Sequence, residues 1–111
     1  MNQKKKMQDE ISAELYAKFF HGLSNPTRLK IVQSLLGKEK NVSELVQELG
    51  IKQSQISNQL ACLKWCGYVD ARQEGKYVYY QIKDERIREI LRLATEVVGD
   101  NAAHISECTR M

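Results

Sequence analysis

No apolar run in these 111 residues approaches the roughly 20 needed to cross a bilayer. A membrane-spanning helix is therefore not expected. The basic start, with Lys4, Lys5 and Lys6, is not followed by an apolar stretch, so no signal peptide is expected and the cytoplasm is the expected compartment. Three cysteines are too few for a disulfide framework; in a reducing compartment they are expected to be thiols, metal ligands or redox groups. Aromatic residues are scarce at 7%, and the single proline is Pro26. No Ser/His/Asp set, paired carboxylates or phosphate-cradling loop occurs, which argues against an enzyme. Repeats and low-complexity segments are also missing.

What remains is ordinary for one compact domain, at 42% hydrophobic and 28% charged residues. The net charge of +3 is only a weak nucleic-acid signal. The organisation reads as a basic arm over residues 1–7, a domain over 8–98 and a polar tail over 99–111.

Periodicity then sets the elements. Ile11, Leu15 and Phe19, widened by Tyr16, Phe20 and Leu23, predict a first helix from about Gln8 to Gly22. Asn25 is a candidate N-cap and Pro26 suits the first position of a second helix, which runs to Gly37. After a polar connection, Ser43 to Leu49 reads as a short helix closed by Gly50, and another helix starts near Gln53. Two short helices around a tight glycine turn are the helix-turn-helix pattern. From Tyr68 the period changes: Tyr68–Arg72 and Tyr77–Ile82 flank Glu74-Gly75-Lys76 as the two strands of a wing. Asp84 caps a last helix, about Glu85 to Val98. The fold class is thus mostly α with a small β-wing, a winged helix-turn-helix. The wide apolar stripes of the terminal helices point to a homodimer.

Setting Ile56, Leu60 and Leu63 inward on the second helix of the pair turns Ser54, Asn58, Ala61 and Trp65 outward, with Gln55 and Ser57 on the flanks. Short amides and hydroxyls suit base edges. Ser54, Gln55, Ser57, Asn58 and Gln59 are therefore the candidate DNA contacts, joined by Arg72 and Lys76 of the wing near phosphates; double-stranded DNA is the expected partner. A solvated polar helix face is the bland reading, but this face opens a helix just after a tight turn and precedes a wing. The same helix carries Cys62 and Cys66. A four-residue step returns a helix to nearly the same face, so both sulfurs can serve one small ion. A pair of small buried hydrophobes is the alternative.

The runs Leu23-Ser24-Asn25-Pro26-Thr27-Arg28-Leu29-Lys30-Ile31, Val42-Ser43-Glu44-Leu45, Ser54-Gln55-Ile56-Ser57-Asn58-Gln59-Leu60 and Glu74-Gly75-Lys76-Tyr77-Val78-Tyr79-Tyr80 resemble the ArsR/SmtB family over about Leu15 to Val98. That resemblance implies a dimeric winged-helix repressor that leaves its operator on binding a metal ion. Leu60-Ala61-Cys62-Leu63-Lys64-Trp65-Cys66-Gly67 resembles the family's cadmium/lead-sensing type, which implies Cys62, Cys66 and the tail residue Cys108 as ligands, with cadmium or lead as effector and zinc possible. Trp65 departs from that type, where a small residue is usual. The family's other metal positions find no support: Asn41-Val42-Ser43-Glu44 holds no cysteine, and Asp84 lacks histidine partners at Arg86 and Val97. His21 and His104 are not expected to be primary ligands. Two alternatives remain open, a thiol-redox repressor of the same fold and a DNA-binding protein with structural cysteines.

Overall fold

The computed structural model describes residues 11–108, and the basic arm over 1–7 lies outside them. Eight elements follow in order: α1 (Ala13–Gly22), α2 (Pro26–Leu35), β1 (Lys40–Asn41), α3 (Val42–Leu49), α4 (Gln53–Trp65), β2 (Val69–Glu74), β3 (Tyr77–Ile82) and α5 (Glu85–Glu107). No helix among the described residues is long and apolar enough to cross a membrane.

Local chemistry sets the boundaries. Asn25 Oδ1 accepts the Arg28 N–H at 3.1 Å, and Pro26 occupies the first turn of α2, where its missing N–H costs nothing. Asn41 and Glu44 form a reciprocal capping box on α3. Gly50 ends α3 in the left-handed region, at φ 67°. Within the described residues α1 begins at Ala13: Ser12 is its cap, accepting the Leu15 N–H at 3.2 Å, and Ile11 is not helical, while the earlier part of the predicted helix, residues 8–10, lies outside the described residues. Helix α2 stops at Leu35 rather than Gly37.

Ile31, Val32, Leu35, Leu45, Ile56, Leu60, Leu63 and Val69 lose all exposure, and Tyr68, Ile82, Ile87 and Leu91 complete one core. Each such aliphatic side chain contributes roughly 1.5–3 kcal/mol by leaving water. Three of them, Ile56, Leu60 and Leu63, hold α4 by one stripe and fix which residues it shows to solvent.

The wing pairs antiparallel from Val69 opposite Ile82 to Glu74 opposite Tyr77. It is wider than two strands. Lys40 and Asn41 add β1 on the far edge of β3, opposite Tyr80 and Tyr79, giving the order β1-β3-β2.

The larger correction concerns the C-terminus. Helix α5 does not stop at Val98 but continues to Glu107, with Cys108 as its C-cap and a break in helical geometry at Asn101 (φ −122°, ψ 16°). The Asn101 amide donates to the Val97 carbonyl at 2.9 Å. Only Ile87 and Leu91 of this helix are buried, and every residue from Arg92 to Cys108 is exposed.

Candidate nucleic-acid interface and thiol site

Helix α4 presents two kinds of chemistry on one rod. At its N-terminal end Ser54, Gln55, Ser57 and Asn58 are all exposed. Its N-cap, Lys52, makes no side-chain capping bond, and no acidic residue lies in the first turn. The first-turn N–H groups and the positive end of the helix dipole are thus left facing solvent, the arrangement that attracts phosphate. Lys52 itself adds a cation there; the missing acid in Gln53-Ser54-Gln55 was the sequence signal for it.

Gln59 is placed differently from its neighbours. It is half-buried, and its Oε1 accepts from Arg28 Nη1 at 3.1 Å. Arg28 also donates through Nε to the Gly22 carbonyl at 2.7 Å and through Nη2 to the His21 carbonyl at 3.3 Å. A guanidinium thereby caps the C-terminal, negative end of α1. Sequence reasoning missed the contact with Gln59 because that partner lies 31 positions away.

The wing offers two cations in unlike states. Arg72 pairs with Glu39 and, at 3.1 Å, with Glu74, and lies 5.2 Å from the Tyr79 ring centre. Glu39 above all holds its guanidinium in the charged form. Lys76 follows Gly75, which turns the hairpin tip at φ 61°, and is exposed 5.4 Å from the Tyr77 ring centre.

The cysteines sit at the other end of α4. All three in the chain are free; Cys62 is half-buried, and Cys66 and Cys108 are exposed. Gln55, Gln59, Cys62 and Cys66 follow helical spacing and form one stripe. Although Cys66 is exposed as a residue, it borders an open recess of about 390 Å³ lined by Leu15, Lys18, Phe19, Trp65 and Tyr68. Burial there pushes its thiol pKa up, the adjacent Cys62 thiol pushes it further, and Arg28 opposes both. Tyr68, whose hydroxyl donates to the Phe19 carbonyl, is pushed up to about 12, chiefly by burial. Trp65, between the cysteines, is 91% exposed.

The donor set fits a soft ion: two thiols share one helix face and already feel each other. Among the described residues of one protomer, no three Cys, His, Asp or Glu side chains gather into a metal cage. Cys108, at the end of α5, is therefore not brought to the pair within the chain.

Comparison with known proteins agrees with this architecture. Residues 25–71, from α2 into β2, match the family described as "Bacterial regulatory protein, arsR family". The chain is 43% identical over 95 residues to a probable mercury resistance operon repressor of Streptomyces lividans, covering 86% of this chain and 76% of that protein. It is 34% identical over 89 residues to the HTH-type transcriptional regulator CmtR of Mycobacterium bovis, covering 80% of this chain and 75% of that one. Among solved structures it is similar to the homodimeric winged helix-turn-helix DNA-binding domain of Mb0332 from Mycobacterium bovis, at a TM-score of 0.70 and 28% identity, with 100% and 95% of the two chains covered.

Proposed function

The chain belongs to the arsR family of bacterial regulatory proteins, and from that premise we propose that it is a homodimeric transcriptional repressor released from operator DNA by a soft metal ion. The observation that carries this reading is α4 itself: exposed DNA-reading side chains and a cysteine pair occupy opposite ends of one helix. Ser54, Gln55, Ser57, Asn58 and Gln59 face the major groove, while Arg72 and Lys76 lie near the backbone. The homodimeric relative and the exposed apolar residues Leu15, Tyr16 and Phe20 of α1 with Val97 and Val98 of α5 support pairing through the terminal helices.

Cys62, Cys66 and Cys108 are the ligands in this reading, with Cys108 reaching across from the partner protomer. These three thiolates would hold a soft ion, and Cys108 at the end of α5 would then be joined to α4. Cadmium or lead is the effector that the cysteine pattern suggests, zinc is a harder competitor, and the mercury-resistance relative adds mercury. Exposed free thiols also suit a redox repressor that links Cys108 to Cys62 or Cys66. A bond between Cys62 and Cys66 themselves is disfavoured, since their Cβ vectors run nearly parallel.

Anaerobic titration of the reduced protein on DNA separates the two. Cadmium, lead or mercury should release the DNA and raise near-ultraviolet thiolate-to-metal absorption, and Cys62→Ser or Cys66→Ser should abolish both effects. Release by peroxide with no response to any ion would replace the metal reading with the redox one.

A further inference from the structure

Arg28 stands where α1, α2 and α4 meet, and its contacts dictate how Gln59 can meet DNA. A guanidinium carries only donors, so the atom of Gln59 facing Arg28 Nη1 at 3.1 Å has to be the oxygen. The carboxamide is planar, which turns its NH₂ group away from Arg28. A free glutamine can pair with adenine as donor and acceptor together. That contact occupies one lone pair of Oε1 and turns the oxygen towards Arg28, so the NH₂ group is the end of Gln59 that leads away from it. Its natural target is then an acceptor on DNA, a phosphate oxygen or a base carbonyl or ring nitrogen. Nε and Nη2 of Arg28 hold the carbonyls of Gly22 and His21, so the same side chain ties α4 to the end of α1.

We propose that Arg28 is a positioning residue that orients Gln59 so that its NH₂ group leads as the DNA contact, and that it links the recognition helix to α1. The proposal rests on α4 being the helix that reads DNA. It assigns Arg28 no contact with DNA of its own.

The test uses the full-length protein, a duplex selected by it from a random pool and a scrambled duplex of equal composition. Affinities of Arg28→Gln, Gln59→Leu and the double variant are measured over a salt series. Each single change should weaken binding roughly three- to tenfold, the worth of one hydrogen bond. The double variant should be no weaker than the weaker single one, because both remove one unit. The salt slope should stay unchanged. A slope reduced by about one in Arg28→Gln would make Arg28 a phosphate contact and overturn the proposal. Losses that multiply in the double variant would overturn it too.

Equal loss on both duplexes assigns Gln59 to phosphate, and loss confined to the selected duplex assigns it to a base acceptor; each supports the donor role. Should Arg28→Gln fail to fold for want of the α1 cap, Gln59→Leu and Gln59→Glu decide, since both keep Arg28. Both lack the amide donor and should bind poorly; wild-type affinity in either sinks the proposal. Gln55→Ala and Asn58→Ala serve as the reference. If these also bind normally, the reading of α4 falls with the proposal. If they weaken binding while Arg28 and Gln59 do not, the proposal alone falls.

Discussion

Among the glycines, Gly22 has the least room for a side chain. A Cβ built there would lie 2.7 Å from Tyr68 Cε2 and 2.8 Å from its hydroxyl, closer than real Cβ contacts allow. Tyr68 cannot simply step aside, because it is 1% exposed and bonded to the Phe19 carbonyl. Gly22→Ala is therefore expected to destabilise the fold by about 1–3 kcal/mol, as overpacked sites do, read as a lower urea midpoint at unchanged slope. An unchanged midpoint would mean that Tyr68 relocates freely. A second residue-scale expectation concerns pH. Burial and Cys62 raise the Cys66 thiol above its ordinary value, so it holds its proton at neutral pH. A thiol must lose that proton to ligate, so metal affinity should rise with pH, by up to about tenfold per pH unit for each thiol ionised. Cadmium titrations at pH 6 and pH 8 check this; equal affinities would rule out thiolate ligation. The exposure of Ser54, Gln55, Ser57 and Asn58 was legible in the sequence because a helix with Ile56, Leu60 and Leu63 inward has no other face for them. The Arg28–Gln59 contact was not, because no local pattern encodes a bond between residues of different helices.

At the scale of elements, the wing illustrates how a charge can be present yet spoken for. Arg72 is neutralised by Glu39 and Glu74, whereas Lys76 at the hairpin tip has no carboxylate within ion-pair distance among the described residues. Lys76→Ala should lower the salt slope of DNA binding by about one, and Arg72→Gln should lower it less. Equal slope changes would show that DNA strips Arg72 from its carboxylates. The helix-turn-helix and the hairpin could be read because their punctuation is local: Asn25-Pro26, Gly50, and Glu74-Gly75-Lys76 each determine a cap or turn. Strand β1 could not, since two residues carry no period and Lys40-Asn41 become a strand only through pairing with β3. The end of α5 misled for the opposite reason. Gly99 and the polar residues after it look like a stop, but Ala102, Ala103 and their neighbours are competent helix formers, and the chain bends at Asn101 and goes on.

For the whole molecule, the exposed apolar residues of α1 and α5 are the main unfinished surface. Phe20 and Val97 are each 57% exposed, so Phe20→Lys or Val97→Asp should shift the protein towards monomer in sedimentation and weaken operator binding in step. A variant that stays dimeric would move the interface elsewhere. Ending the chain after Asp100, before the bend, should leave a DNA-binding dimer with a blunted metal response; an undiminished response would remove Cys108 from the ligand set. The attachment of α4 has a mechanical consequence for this assembly. Its anchors Ile56, Leu60 and Leu63 are centred near Leu60, which leaves Ser54 and Cys66 about 9 Å to either side at 1.5 Å per residue. A rod so held moves as a rigid body: if it tilts about that centre, a displacement of Cys66 one way sends Ser54 and Gln55 the other way by a similar distance. Hydrogen bonds tolerate only a few tenths of an ångström. In a symmetric dimer, whose two reading ends must sit about one DNA turn apart, the two tilts add along the operator, so a shift of about 1 Å at each thiol pair changes that spacing by about 2 Å.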